Sequence, residues 1–234
     1  MKPYDQTAIL FFSRTPRQEA LHKQLAGPHS YRVSKVLLQH SLRELRKSKL
    51  PICPCLGPQQ EGDTFGERLA NATEAVFAQG YQQVIIVGSD SPGLNAQTLR
   101  EAQAHLEEKD AVLGPSSDGG LYLIGLKRNT YQREQFIALD WETDKLQASV
   151  AKYLGSMQTD AYLLPSLTDL DNADNFAVWY PTLFAGRLFA ELNNSLLEIT
   201  EGQIPTSPTL AQGSQDIYRA IPRRGPPATL RLRA

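Results

Sequence analysis

Apolar residues come in short unbroken blocks along this chain, with amphipathic stretches between them. AILFF at 8–12, ICPCL at 52–56, VIIV at 84–87, AVL at 111–113, LYLIGL at 121–126 and YLL at 162–164 are strand-length runs. Continuous apolar runs of this length fit strands buried on both faces, as in a parallel sheet. The stretches between them show helical periodicity. In 30–48, Leu38, Leu42 and Leu45 form one stripe, with Arg43, Arg46 and Lys47 off it. In 67–79, Leu69, Ala72 and Val76 point one way and Gly80 closes the element. Asn95 is placed to cap a helix through 108 striped by Leu99, Ala102 and Leu106. Helices are also expected over 145–154, 173–179 and 181–199. Residues 13–25 read as a polar loop, and 135–144 as a short strand or loop around Trp141. Six or seven short strands alternating with helices predict an α/β fold with a mostly parallel sheet. Pro51 and Pro54 put the 52–56 strand at an edge.

The totals narrow the function classes. With 41% hydrophobic residues in 234, a substantial core can form. A net charge of −1 gives no electrostatic argument for nucleic acid or an anionic membrane. No segment approaches the ~20 apolar residues that span a bilayer. The N-terminal run is too short for the apolar region of a signal peptide, so a cytoplasmic location is expected. Cys53 and Cys55 would share one face of a strand, with no further thiol to complete a zinc site. They read as reduced thiols, with a regulatory disulfide as the alternative. Past 202 the composition changes, and prolines and arginines dominate without periodicity. The expected organisation is one domain over 1–200 and a mobile tail over 201–234.

Candidate chemistry sits in acidic turns after the strands. Asp90 follows VIIVGS, and ligands of open α/β sheets bind beyond the carboxyl ends of strands. A carboxylate there can ligate a hard cation that bridges phosphate oxygens. Asp169 and Asp171 stand at another predicted strand end, spaced to lie on one side of an extended backbone. Asp118 precedes Gly119 and Gly120, which leave backbone bare enough to pack against a sugar or another flat group. Aspartates after strands also serve as helix caps and Asx turns, and a tight turn explains the same glycines. Four scattered histidines and the lack of a Ser-His-Asp or Cys-His pattern argue against hydrolytic chemistry.

Four segments in order, GERLANA at 66–72, GSDSPGL at 88–94, GPSSDGGLYLIGL at 114–126 and DLDNADNF at 169–176, resemble a bacterial glycosyltransferase-like family. This largely uncharacterised family belongs to the nucleotide-diphospho-sugar transferase superfamily. The resemblance spans roughly 8–179. It implies a three-layer α/β/α Rossmann-like domain that binds a nucleotide sugar or nucleoside triphosphate with Mg²⁺ or Mn²⁺. Asp90 matches the superfamily's metal-binding Asp, and Asp171 falls where relatives complete the metal site. Phe12, Arg14, Lys23, Gln60 and Gly66 fall in the nucleotide-binding loops, and Asp118, Gly119 and Gly120 on the sugar or acceptor side. Asp118 is the candidate catalytic base.

The first loop departs from the family pattern. Glu19 stands where the family has Gly, and His22-Lys23-Gln24 where it has Lys-Thr-Arg. A glutamate there is expected to repel phosphate, with Lys23 or Arg17 as substitute cations. Thr64 takes the place of a family acidic residue, or Asp63 after a one-residue slip. The expected function is metal-dependent glycosyl or nucleotidyl transfer to a small-molecule acceptor. The alternative is a non-catalytic nucleotide- or sugar-binding protein of the same fold.

Overall fold

Strand β1 (Thr7–Ser13) is buried from end to end and lies inside the sheet. With β2 (Ile52–Leu56), β3 (Gln83–Val87), β4 (Ala111–Pro115), β5 (Leu121–Lys127) and β6 (Ala161–Leu163) it forms one six-stranded sheet, ordered β2-β1-β3-β5-β4-β6. β1 runs parallel to β2 and β3, and β4 runs parallel to β6. β5 is antiparallel to both neighbours, β3 and β4. The sheet is therefore mostly parallel, and the proline-bearing β2 is at its edge as expected. The computed structural model describes residues 6–170. The helices expected over 173–179 and 181–199, Asp171 and the tail from 201 lie outside the described residues.

The alternation of side chains along each strand divides the core in two. Ala8, Leu10, Phe12, Val84 and Ile86 face α3 (Phe65–Ala78), α5 (Arg133–Ile137) and α6 (Leu146–Ser156), meeting Leu69, Val76, Phe136 and Val150. Ile9, Phe11, Ile85 and Val87 face α2 (Ser30–Ser48) and α4 (Ala96–Glu108), meeting Leu38, Leu42, Leu45, Leu99 and Leu106. This is a three-layer α/β/α arrangement. Each fully buried side chain of this size contributes about 1.5–3 kcal/mol. A one-residue slip of β1 would exchange its two faces, so its register is held by both layers.

Local signals set the helix ends. Asn95 accepts hydrogen bonds from the backbone N–H groups of Gln97 and Thr98 at the start of α4. Thr64 and Glu67 form a reciprocal capping box on α3. Two segments contain unexpected helix. Residues expected as a polar loop contain the helix α1 (Pro16–Lys23). Thr15 accepts from the Gln18 N–H at 3.3 Å, Gln18 Oε1 accepts from the Thr15 N–H at 3.0 Å, and Pro16 occupies the first turn. The second segment, 135–144, begins with the end of the short helix α5 and otherwise, Trp141 included, is the loop rather than the strand of the two alternatives expected. Among the described residues no helix is long and apolar enough to cross a membrane.

Candidate functional site

The exits of β1, β3 and β4 and the entry of β5 share one edge of the sheet, because β5 alone is reversed. A cleft of about 540 Å³ opens there, and Phe12, Arg14, Lys23, Gln60, Asp90, Asp118 and Gly120 all line it. Gly66 and Gly119 are not among the residues that line it, and Asp171 is outside the described residues.

Asp90 sits just past β3. A Cβ at Gly88 would come within 2.9 Å of Asp90 Oδ1, so the glycine makes room for the carboxylate. Lys23 Nζ donates to Asp90 Oδ2 at 3.0 Å, and 37% of the Asp90 side chain remains accessible. Burial acts to raise the Asp90 pKa, but the charge and hydrogen bond of Lys23, with Arg14 farther off, hold it below the usual carboxylate range. Leu170 closes the corner. Its N–H donates to the Asp90 carbonyl at 2.9 Å, and its own carbonyl accepts from Lys23 at 3.1 Å.

Asp169 does different work from Asp90. It accepts from Ser91 and, at 2.5 Å, from Ser116. It thus ties the turn after β3 to the turn after β4, and is nearly buried in doing so. On the far side, Asp118 Oδ1 accepts from the Gly120 N–H at 3.0 Å, an Asx turn. Gln147 of α6 holds the same loop, donating to the Ser116 and Gly120 carbonyls at 2.8 and 2.9 Å. Gly119 has φ +93, and a Cβ there would fall 2.1 Å from the Asp144 carbonyl.

The remaining wall is aromatic and amide. Gln60 donates to the carbonyls of Ser13 at 2.9 Å and Cys55 at 3.3 Å. Both amide hydrogens are engaged, which leaves Oε1 as the group it can offer a ligand. The ring centroids of Phe12 and Phe65, and of Phe65 and Trp141, are each 5.6 Å apart. Gly66 admits this stack, since a Cβ there would meet the Ile137 carbonyl at 2.5 Å and Trp141 Cδ1 at 2.9 Å.

Several contributors were not singled out from sequence. Arg68 lines the cleft and, among the described residues, donates a long 3.4 Å bond to the Asp63 carbonyl. Phe65, Trp141, Glu142 and Gln147 also shape the site. Arg68 lay within the quoted GERLANA segment and Trp141 stood out as a large aromatic, but nothing in their spacing linked them to the acidic turns. Arg14 pairs with Glu142 at 2.7 Å and with Glu19 at 3.8 Å. Glu19 is paired with Arg14 and Lys23, so of the two substitute cations expected, Lys23 meets this carboxylate.

Among the described residues no group of three or more His, Cys, Asp or Glu gathers to hold a metal ion. A hard cation shared with a ligand's phosphates takes only one or two protein carboxylates. Asp90 fits that smaller requirement, on condition that Lys23 gives way.

Residues 32–143 match the family described as an uncharacterised protein conserved in bacteria, DUF2064. No curated protein matches the chain. Among solved structures, a Desulfovibrio desulfuricans G20 protein provisionally described as a nucleotide-diphospho-sugar transferase is 25% identical, with a TM-score of 0.71. The match covers 85% of this chain and 99% of that one. Rv0371c of Mycobacterium tuberculosis H37Rv is 14% identical over 74% of this chain and 96% of its own, with a TM-score of 0.50. Its homologue from Mycobacterium sp. strain JC1 is 13% identical over 81% and 98%, with a TM-score of 0.51. These likenesses share the fold seen here. The chain thus resembles this bacterial DUF2064 family over its 32–143 segment, and it carries the α/β fold of the nucleotide-diphospho-sugar transferase-like Desulfovibrio protein.

Proposed function

We propose that the protein is a transferase acting on a nucleotide-activated substrate, either glycosyl transfer from a nucleotide sugar or nucleotidyl transfer from a nucleoside triphosphate. One observation carries this reading: loops after β1, β2, β3 and β4 bring Arg14, Gln60, Asp90 and Asp118, respectively, to a single cleft at the carboxyl edge of the sheet. The likeness to the Desulfovibrio protein supports it. Phe12, Phe65 and Trp141 offer flat apolar surface for a base or sugar ring. Gln60 Oε1 accepts a donor from the ligand. Arg68 is a cation in position to meet a phosphate or carboxylate. Asp118, fixed by Gly120 and by the Gln147 strap, faces the acceptor side and is the candidate base there.

Asp90, with Asp171, would hold Mg²⁺ or Mn²⁺. When bound, the ion supplies charge neutralisation for a departing diphosphate or for an α-phosphate under attack. Leu170, the residue before Asp171, is hydrogen-bonded to Asp90, which supports assigning both aspartates to one site.

A second reading, a non-catalytic binding protein, is favoured by one feature: Arg14 and Lys23 are both engaged with carboxylates. A thermal-shift panel of nucleotides and nucleotide sugars, with and without Mg²⁺ or Mn²⁺, tests the proposal. Ligands that bind the native state raise its melting temperature. Stabilisation by one nucleotide class, followed by turnover with an acceptor, is the expected result. Stabilisation without turnover across an acceptor panel favours the binding protein, and no stabilisation by any member overturns the transferase reading.

A further inference from the structure

The cation beside Asp90 in this chain is a lysine. Lys23 lies in the last turn of α1, and only 7% of its side chain is accessible. Its ammonium contacts Asp90 Oδ2 at 3.0 Å, the Leu170 carbonyl at 3.1 Å and Glu19 Oε1 at 3.2 Å. An ammonium has three N–H donors, and the described residues present these three oxygens to it. They come from three separate places: α1 itself, the turn after β3, and the chain at residue 170. The last two are locked together by the Leu170 N–H bond to the Asp90 carbonyl. A surface ion pair of two mobile side chains has none of these ties.

Glu19 explains the placement. It is nearly buried, one helical turn before Lys23 on the same face of α1. A buried carboxylate requires counter-charge, and Glu19 has Lys23 and Arg14. It acts as the post to which the ammonium is tethered. Glu19 and Lys23 are a matched pair, and both stand at positions where the sequence departs from the family pattern.

A divalent ion on Asp90 would sit about 2.0–2.6 Å from a carboxylate oxygen. That places it within a few ångströms of the ammonium. Two like charges that close repel each other strongly where water is partly excluded, and a dication doubles the repulsion of a unit charge. The two cations therefore exclude each other. We propose that Lys23 is a tethered cation that occupies the divalent-ion position at Asp90, so that the ligand-free protein binds no Mg²⁺ or Mn²⁺ there. Lys23 thereby sets the metal requirement of the site, and Glu19 is its positioning residue. The proposal rests on Asp90 being the phosphate-side carboxylate of the cleft.

The test uses Mn²⁺ alone on the full, ligand-free chain, followed by the electron paramagnetic resonance signal of the free aqua ion and by calorimetry. No nucleotide enters, so failure of the transferase reading leaves the result intact. Wild type is expected to show no saturable site. Lys23→Met, which keeps the length of the side chain and removes its charge, is expected to gain one, at least about tenfold tighter than any residual binding. Asp90→Asn in that background should abolish the gain. Saturable Mn²⁺ binding by wild type that Asp90→Asn removes would overturn the proposal. So would a folded Lys23→Met with no new site. Should Lys23→Met fail to fold by circular dichroism, Glu19→Gln loosens the tether. It is expected to give a smaller gain in Mn²⁺ affinity, and absence of that gain overturns the proposal equally.

Discussion

Arg14 and Glu142, 128 positions apart in the chain, meet at 2.7 Å on the rim of the cleft. Their contact joins the loop after β1 to the turn before α6. Glu142 holds a left-handed backbone at φ 59, unusual for a side chain of its kind. The pair is partly exposed, so its loss costs little, about 1 kcal/mol or less. Its electrostatic effect is larger, because it occupies a guanidinium that faces the cleft. Glu142→Gln is expected to leave the urea midpoint nearly unchanged while tightening the binding of pyrophosphate several-fold, with a steeper salt dependence. Calorimetry at two ionic strengths checks this, and unchanged affinity would show that Arg14 does not meet the ligand.

The paired glycines at 119 and 120 are predicted to behave differently. Gly119 combines a left-handed φ of +93 with a backbone oxygen 2.1 Å from any added Cβ. Gly119→Ala is expected to cost roughly 1–3 kcal/mol or to displace the loop. A Cβ at Gly120 would meet the Asp118 carboxylate, nearest at Oδ1, 3.1 Å away, and no backbone atom among its three nearest neighbours. Gly120→Ala should preserve stability and weaken sugar or acceptor binding. Denaturant melts beside ligand titrations separate the two effects.

Gly66 bears on the aromatic wall from behind. Gly66→Ala would drive a methyl against the Ile137 carbonyl and the Trp141 ring. We expect lower stability, by about 1–3 kcal/mol, and a red shift of Trp141 emission as the indole leaves the Phe65 stack. An Ala variant with unchanged fluorescence but weakened nucleotide binding would instead make Gly66 a direct ligand contact.

The two thiols should be inert near neutral pH. Burial pushes Cys53 up to about 11, partly offset by its hydrogen bond to Gln79. Burial and the charge of Glu61 push Cys55 up to about 11. Thiolate is the reactive form. At about pH 8 only some one in a thousand of such thiols is ionised. Iodoacetamide labelling of the native protein should therefore be slow and accelerate toward about pH 11, whereas the unfolded chain reacts at the ordinary thiol rate. Fast labelling at neutral pH would contradict these environments.

The strands were legible because each is a dense apolar block, and their carboxyl ends marked the edge where the cleft opens. Helix α1 was not. Its only large apolar residue, Leu21, is 73% exposed, so the element has no stripe to detect. The signal it did carry was Thr15-Pro16 followed by Gln18, a capping box with proline in the first turn. The five-residue α5 is too short for periodicity to declare. Within the site, Phe12, Arg14, Lys23, Gln60, Asp90, Asp118 and Gly120 of the residues the resemblance named line one cleft, whereas Gly66 and Gly119 do not and Asp171 is outside the described residues. The pairing of Lys23 with Asp90 spans 67 positions and leaves no mark in local pattern. Glu19 read as a repulsive intruder because its counter-ions, Arg14 and Lys23, become neighbours only through α1.

The reversal of β5 also bears on how this architecture can change. β4 and β5 are joined by the very turn that carries Asp118, so that wall is pinned by a strand at each end. Lengthening it would disturb two ladders at once. The opposite wall, α1, follows the exit of β1, packs on α2 and is tied to the turn after β3 through Lys23, but it belongs to no strand ladder and can trade residues without altering any strand register. The cleft thus has one conservative side and one permissive side. Lys23, the cation that meets Asp90, is carried on the permissive side, so the charge beside the carboxylate can change without rebuilding the fold.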